Sequence, residues 1–212
     1  MASLDVLIAF AAATAVFAYF PGPALLYTAA QTLARGRRAG FMAAFGIHVG
    51  CYAHVVAATL GLSAIFRHVP EAYLVVKIVG ALYLVWLGID MLRARVPTNA
   101  PVLKAQKSAR RAFVESIVVE LLNPKVAIFF IAFLPQFVDP AASLPVWLQF
   151  LILGTIVNFS FTSADVMTVL AASSVAERMR RKGRVMRWAK MAGGSILIAL
   201  GAKLAVEKGP VP

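Results

Sequence analysis

Three ionisable residues lie deep inside apolar segments of this chain, where a charge is costly. Lys125 is about thirteen residues from either end of its segment, roughly 20 Å at the rise of an α-helix. Asp165 lies in the middle of a second segment, and Glu120 precedes Lys125 by one to two helical turns. Charges at such depth face a wet cavity or a partner. The residues therefore bind a charged solute, or a Lys125–Asp165 ion pair braces two helices; both interpretations stay open here.

The composition places these charges in a membrane. The chain has 212 residues, of which 61% are hydrophobic and only 14% charged. Its apolar stretches are long enough to cross a bilayer as helices. The first residues lack the basic region of a signal peptide, so the first segment is expected to remain as a helix. Six spans are predicted: Val6–Leu33, Phe41–Phe66, Tyr73–Leu92, Ala112–Val138, Val146–Ala172 and Ala189–Val206.

Basic residues are concentrated in three of the predicted loops. The loops after the first, third and fifth spans hold sixteen of the 21 Lys and Arg residues. The opposite side has only Arg67 and Lys208. By the positive-inside rule the basic loops are cytoplasmic and both termini face outward. The net charge of +12 thus reflects topology, with anionic lipid as a partner near Arg178–Lys190, and requires no nucleic acid.

Helix-breaking residues interrupt the first and fourth spans near their middles. Pro21-Gly22-Pro23 lies in the first, and Asn123-Pro124-Lys125 lies in the fourth. Backbone groups freed by such a break must be satisfied by protein or by water in a cavity. The amides that begin the second half-helix, from Ala24 onward, carry the positive end of a helix dipole and suit a carboxylate. Paired breaks in corresponding spans are typical of a transporter binding site.

The spans also suggest an internal repeat. The third and sixth share a pattern in which Gly80 and Gly88 correspond to Gly193 and Gly201. Three spans per half would place the halves in opposite orientations. We therefore predict an all-α membrane protein of six transmembrane helices, built as two inverted three-helix repeats, with the first and fourth helices broken at mid-membrane. The chain is a single transporter domain made of repeat one (1–95), a cytoplasmic loop (96–110) and repeat two (111–212).

The second span carries a stripe of small residues, Gly46, Gly50, Ala57 and Gly61, that allows close helix contact. His54 follows Gly50 by one turn and is a candidate for coupling or gating. His48, Cys51 and His54 do not share one face, so no metal site is predicted on this helix. A phosphate-binding G-x-x-x-x-G-K-[ST] loop is missing from the sequence, which disfavours ATP-driven pumping. No cofactor is expected.

The combination of these motifs resembles the LysE/RhtB family of amino-acid exporters. The likeness covers nearly the whole chain in the right order. It is carried by these motifs: Pro21-Gly22-Pro23, Gly46 and Gly50 with His54, Gly80-Ala-Leu-Tyr-Leu-Val-Trp-Leu-Gly88, Asn123-Pro124-Lys125, Phe133-Leu134-Pro135-Gln136-Phe137 and Asp165.

The resemblance implies a secondary transporter of the bacterial cytoplasmic membrane that expels amino acids or close derivatives, driven by an ion gradient. It implies that Pro21, Gly22, Pro23, Asn123, Pro124, Lys125 and Asp165 contribute to the site, and Ala24 joins them through its amide. Few acidic groups lie deep in the spans, which favours a small neutral substrate over a basic one.

The expected mechanism places the substrate carboxylate at the first break near Lys125 and its ammonium at Asp165. Rocking of the repeats would expose the site to each side in turn. Protonation of Asp165, with Glu120 or His54 as further candidates, would couple transport to protons.

Two alternatives remain from the sequence. One is a metal-cation exporter of the same superfamily. The other is a membrane-embedded enzyme or assembly subunit, although no nucleophile–base spacing is evident. The identity of the amino acid, the coupling ion and any homo-oligomeric state are left open.

Overall fold

The fold is described from a computed structural model, which covers residues 4–93, 109–181 and isolated positions between residues 191 and 202. This part of the chain is helical and contains no strand. Most of the predicted sixth span, Ala189–Val206, lies outside the described residues, as does most of the predicted cytoplasmic loop 96–110. The all-α prediction is confirmed, and the six-helix inverted repeat stays a prediction.

The first predicted span consists of two helices. Helix α1 (Leu4–Tyr19) ends just before Pro21, and α2 (Pro23–Arg35) begins at the second proline. A proline is tolerated in the first turn of a helix, because the N–H it lacks would have no partner there. The segments Val6–Tyr19 and Pro23–Arg35 meet at a bend of 46°. The predicted break is confirmed, and its depth in a bilayer stays a prediction.

The fourth predicted span is divided in the same way. Helix α6 (Ala109–Leu121) ends before Asn123, and α7 (Pro124–Phe133) begins with Pro124 in its first turn. A short 3₁₀ helix, Leu134–Phe137, extends α7. The segments Arg110–Leu121 and Pro124–Phe137 meet at 48°. The two broken spans therefore have similar bends at corresponding positions.

The remaining described helices are not divided by a sharp bend of this kind. Helix α3 (Arg37–Ala57) continues through a π-helical segment (Ala58–Leu62) into α4 (Ser63–His68), and α5 (Pro70–Arg93) covers the predicted third span. Helix α8 (Val146–Arg181) is the longest, with 36 residues. By length and apolarity, Arg37–Phe66 and Val146–Ala171 can each cross a membrane. The described chain thus has two such helices, or four if each bent pair is one span.

A single residue replaces the predicted loop between the first two spans. Helix α2 ends at Arg35 and α3 begins at Arg37, so only Gly36 separates them. Gly36 has a φ of 83°, a conformation that strains residues with a side chain. The first predicted span stops at Leu33 and the second starts at Phe41, so both are shorter than the observed helices. The helices continue beyond the apolar residues, through polar ones, up to the turn at Gly36.

Small residues bring α3 and α6 into direct backbone contact. A Cβ atom added at Gly46 would overlap Ser116 Oγ and the carbonyl oxygen of Phe113, and one added at Gly50 would lie 3.0 Å from Glu120 Cβ. Gly61 has nothing within 4 Å of an added Cβ, and Ala57 is exposed. Among the described residues the second half of the predicted stripe makes no such close contact, so that half stays a prediction.

Aromatic rings form a column beside the breaks, here called the aromatic column. Phe17 of α1 stacks on Phe129 of α7 with ring centroids 3.7 Å apart, and Phe129 stacks on Phe133 at 4.3 Å. Phe10 contacts both Phe133 and Phe137. All five side chains are at least nine-tenths buried. The column joins α1 to α7. These two half-helices lie on one side of the breaks, and α2 and α6, which carry Arg35 and Arg111, lie on the other.

Candidate functional site

The two helix breaks face one small, partly open cavity. From the first break it is lined by Gly22 and Ala24, and from the second by Asn123 and Lys125. Asp165 of α8 completes it from a third element. Its volume is about 40 Å³, room for on the order of one to three water molecules. Helices α2 and α7 both begin at this cavity, and α1 and α6 end just before the two breaks. The charged side chains therefore converge where the two spans are broken.

Lys125 reaches from the second broken span into the first. Its Nζ donates a hydrogen bond to the carbonyl oxygen of Phe20 at 3.3 Å. The ammonium also lies over the rings of Phe17 and Phe20, 4.4 and 4.8 Å from their centroids. Gly22 makes this approach possible, because a Cβ there would be 3.0 Å from Lys125 Nζ.

Buried oxygen atoms without donors occupy another part of the cavity wall. Glu120, Asn123 and Asp165 are at most 3% exposed. The Asn123 side-chain amide donates to Glu120 Oε2 at 3.2 Å. Glu120 Oε1, Asn123 Oδ1 and Asp165 Oδ1 have no hydrogen-bond partner in the described structure. Leaving buried acceptors unsatisfied costs about 1–3 kcal/mol each, so these three atoms favour a ligand that brings donors.

The carboxylate that acts most strongly on Lys125 is Glu120, not Asp165. Glu120 and Lys125 interact electrostatically across the cavity, whereas Asp165 is influenced by Thr28 and Glu120. No Lys125–carboxylate ion pair within 4.0 Å occurs among the described residues, whereas Arg111 and Glu115 do form such a pair. The Lys125–Asp165 brace considered from the sequence is therefore not formed in this conformation.

His54 lies behind the cavity and supports the second break. Its Nε2 donates to the carbonyl oxygen of Glu120 at 2.9 Å. In an unbroken helix the N–H of residue 124 would bond this carbonyl, but Pro124 has none. Asn123 N–H and His54 satisfy it instead. His48 faces the other way and bonds Thr162 Oγ1 through Nδ1 at 2.6 Å.

The structure brings most of the predicted site residues together. Gly22, Ala24, Asn123, Lys125 and Asp165 line the cavity, as does Glu120. Pro21, Pro23 and Pro124 belong to the breaks and do not line it, and His54 reaches it only through the Glu120 carbonyl. No group of three or more His, Cys, Asp or Glu with metal-binding geometry was found in the described part.

The sequence interpretation missed the aromatic wall and Thr28. Phe17, Phe20 and Phe161 line the cavity, and Thr28 lies beside Asp165. Phe17 and Phe20 are three residues apart just before the break and so share a helix face, which is a signal that could have been read. Thr28 is four residues after Ala24 and shares its face for the same reason.

Comparison with known proteins agrees with the motifs. The family model for LysE type translocators matches residues 15–208. A Vibrio cholerae protein described as an uncharacterized membrane protein is 29% identical, over 97% of this chain and 98% of its own length. The homoserine/homoserine lactone efflux protein of Salmonella typhimurium is 33% identical over 87% of this chain and 88% of its own length.

A leucine efflux protein of Klebsiella pneumoniae is 27% identical, over 87% of each chain. No solved structure matches this chain. The family match extends from before the first break to beyond the described residues, so it includes both breaks, Lys125 and Asp165. The chain belongs to the LysE type translocator family.

Proposed function

We propose that this protein exports small neutral amino acids or close derivatives from the bacterial cytoplasm across the inner membrane. One observation carries the proposal: one small cavity presents the Lys125 ammonium together with orphan oxygens of Glu120, Asn123 and Asp165. An amino acid carries one carboxylate and one ammonium on neighbouring atoms, so it matches this pairing. Relatives named for homoserine, homoserine lactone and leucine efflux support the same class of substrate.

The carboxylate would bind at the first break. Gly22 is the N-cap residue of α2 and makes no side-chain cap hydrogen bond, which leaves the first turn of the helix available to a ligand. Ala24 and Leu25 of that turn line the cavity beside Lys125. Backbone amides and the helix dipole favour an anion here, and Lys125 adds a full charge. Lys125 would exchange its bond to the Phe20 carbonyl for one to the substrate.

The ammonium would bind the three orphan oxygens. An ammonium group has three N–H donors, and Glu120 Oε1, Asn123 Oδ1 and Asp165 Oδ1 are three acceptors on one cavity. Charge-assisted hydrogen bonds to these atoms would offset the cost of their burial. The proposal thereby extends the predicted ammonium site from Asp165 to Glu120 and Asn123.

The charges of the site support proton coupling. Two carboxylates face one lysine ammonium, so the ionised site has one excess negative charge in a poorly solvated place. A buried charge without compensation is costly. A zwitterionic amino acid adds no net charge, and one proton on the carboxylate pair would make the loaded site neutral. The proton gradient is therefore the proposed driving force, with Asp165 and Glu120 as the carriers.

We propose alternating access, and the small size of the cavity supports it. A space of about 40 Å³ does not accommodate leucine or homoserine, so its walls must separate for binding. Movement of the half-helices at the two breaks would open one side and then the other. Amino-acid substrate, coupling proton and lipid are the proposed partners.

A reconstitution experiment tests the proposal. Purified protein in liposomes preloaded with radiolabelled homoserine, leucine or lysine should release the first two when a pH gradient is applied. Protein-free liposomes, and liposomes with Asp165→Asn, are the controls. Release of divalent metal ions but of none of the amino acids would contradict the proposal in favour of a metal exporter.

A further inference from the structure

A second group of polar side chains lies between the cavity and the end of the molecule that carries Arg35 and Arg111, here called the basic face. Thr28 and Gln31 of α2 are fully buried, and they share a helix face three residues apart. The Thr28 hydroxyl and both side-chain polar atoms of Gln31 make no well-aligned hydrogen bond in the described structure, although Thr28 lies beside Asp165 and Gln31 beside the Tyr27 hydroxyl. Burial of polar groups whose hydrogen bonding is incomplete is costly. Their position in an otherwise apolar span therefore needs a reason beyond packing.

The two residues connect the cavity with the basic end of α6. Thr28 lies beside the Asp165 carboxylate, and the Gln31 side chain lies beside the Tyr27 hydroxyl. Tyr27 Oη donates to Glu115 Oε2 at 3.1 Å. Glu115 Oε1 in turn accepts from Arg111 Nε at 2.9 Å, and the Arg111 side chain is 62% exposed. A row of polar side chains thus runs from a buried acid to an exposed cation.

The opposite side of the cavity has a different chemistry. On that side, the aromatic column closes the cavity with stacked rings from α1 and α7. These rings offer no polar group to a solute. Opening that side requires large side chains to separate and repack. Opening the polar side requires α2 to move relative to its neighbours α3, α6 and α8, and the Tyr27–Glu115 hydrogen bond is one side-chain bond between α2 and α6.

We propose that Thr28 and Gln31 line the entrance through which the amino acid passes from the basic face to the cavity, and that the Tyr27–Glu115 hydrogen bond holds this entrance closed. The inference rests on the proposed function for its direction and its solute. In the open form, water or the solute would satisfy both side chains. A hydroxyl and an amide offer donors and acceptors together, so they accommodate either end of a zwitterion without binding it as tightly as a charge would.

Thiol labelling tests the entrance directly. The native Cys51 is the single cysteine, so Cys51→Ala provides a background without reactive thiols. In that background, Gln31→Cys is exposed to a charged, membrane-impermeant thiol reagent in inside-out and in right-side-out vesicles. We expect slow labelling from the basic face only, at least fivefold faster when Tyr27→Phe removes the closing hydrogen bond. Homoserine or leucine should slow the reaction.

The matched control is Thr14→Cys. Thr14 of α1 is 1% exposed, and its hydroxyl also has no partner in the described structure, but it lies on the half-helix that carries the aromatic column. It should stay unlabelled from the basic face with or without Tyr27→Phe. Thr28→Cys is a second reporter if Gln31→Cys is not recovered in the membrane.

The results separate this proposal from the proposed function. Labelling of Gln31→Cys and Thr28→Cys from the opposite face, from neither face, or at a rate unaffected by Tyr27→Phe would overturn the entrance. If labelling occurs as expected, but no amino acid slows it and no efflux is seen, the proposed entrance is supported and the proposed amino-acid substrate is contradicted.

Discussion

The ammonium of Lys125 lies 3.3 Å from the carbonyl oxygen of Phe20, and the two residues belong to different broken spans. The break that begins at Pro21 ends α1, and Lys125, from the other break, bonds the last carbonyl before that proline. His54 of α3 does the same for the carbonyl of Glu120, which Pro124 deprives of a donor. Each break is therefore stabilised by a side chain from elsewhere in the fold. A substrate that engages Lys125 would release the Phe20 carbonyl and so act on the helix end itself.

Gly22→Ala should impair transport without preventing folding. The added Cβ would lie 3.0 Å from Lys125 Nζ and 3.2 Å from its Cδ, so the lysine must shift and its already long 3.3 Å bond to the Phe20 carbonyl is weakened. We expect at least a tenfold lower efflux rate at a normal amount of protein in the membrane. The control is Gly61→Ala, because nothing lies within 4 Å of a Cβ there. Equal efflux from both variants would show that the position of Lys125 is unimportant.

Lys125→Met should weaken binding of a free amino acid more than binding of its amide. Removal of one partner of a buried charge pair costs about 3–5 kcal/mol, on the order of 200-fold or more in affinity. The amide has no carboxylate to be left unpaired, so its affinity should fall much less. Isothermal titration of both ligands gives the comparison. If both affinities fall equally and Lys125→Met with Asp165→Asn restores binding, Lys125 is a structural strut.

Asp165→Asn should uncouple transport from the proton gradient. The change keeps the size of the side chain and removes its titratable charge. We expect loss of efflux driven by a pH gradient, with exchange of labelled for unlabelled substrate retained. Asp139→Asn is the matched control, since Asp139 lies in an exposed loop and its Oδ1 accepts from the Ala141 N–H, a role that an amide oxygen also fills. Unchanged accumulation between pH 6 and pH 8 in Asp165→Asn would make this carboxylate structural.

His54→Ala should destabilise the protein. It removes one of the two donors to the Glu120 carbonyl, and we expect a loss of about 1 kcal/mol in the free energy of unfolding, seen as a lower Tm in detergent. His68→Ala is the control, because His68 is exposed and, in the described part of the chain, bonds the Ala64 carbonyl of its own helix. A normal Tm together with an altered pH dependence of efflux would instead assign His54 a role in coupling.

Single cysteines should report the predicted orientation. In a Cys51→Ala background, cysteines at Thr98 and Gly183 should react with an impermeant reagent only from the cytoplasm, and one at Ala141 only from outside. The asymmetric distribution of Lys and Arg between the loops is the reason. External labelling at Gly183 would contradict the inverted repeat.

Much of the site could be predicted because its determinants are local. A proline ends a helix through its own missing N–H, so the breaks at Pro21 and Pro124 follow from residue type alone. A charge in the middle of an apolar run is conspicuous for a similar reason, which drew attention to Lys125 and Asp165. Partners were harder to predict. The Lys125–Asp165 ion pair, one of two possibilities left open by the sequence, is not formed; the Lys125 ammonium bonds the Phe20 carbonyl instead.

The sequence by itself determined the helical class, the family, the positions of the two breaks and most of the residues around the cavity, because periodicity, proline and buried charge act through neighbours along the chain. The tertiary structure decided which groups meet: Lys125 with Phe20, Glu120 with Asn123, Thr28 with Asp165. These contacts depend on how α2, α6, α7 and α8 pack, and packing depends on shape and distance between segments far apart in the chain. The type of a residue indicates the kind of partner that it requires, and the packing of the helices determines which partner it contacts.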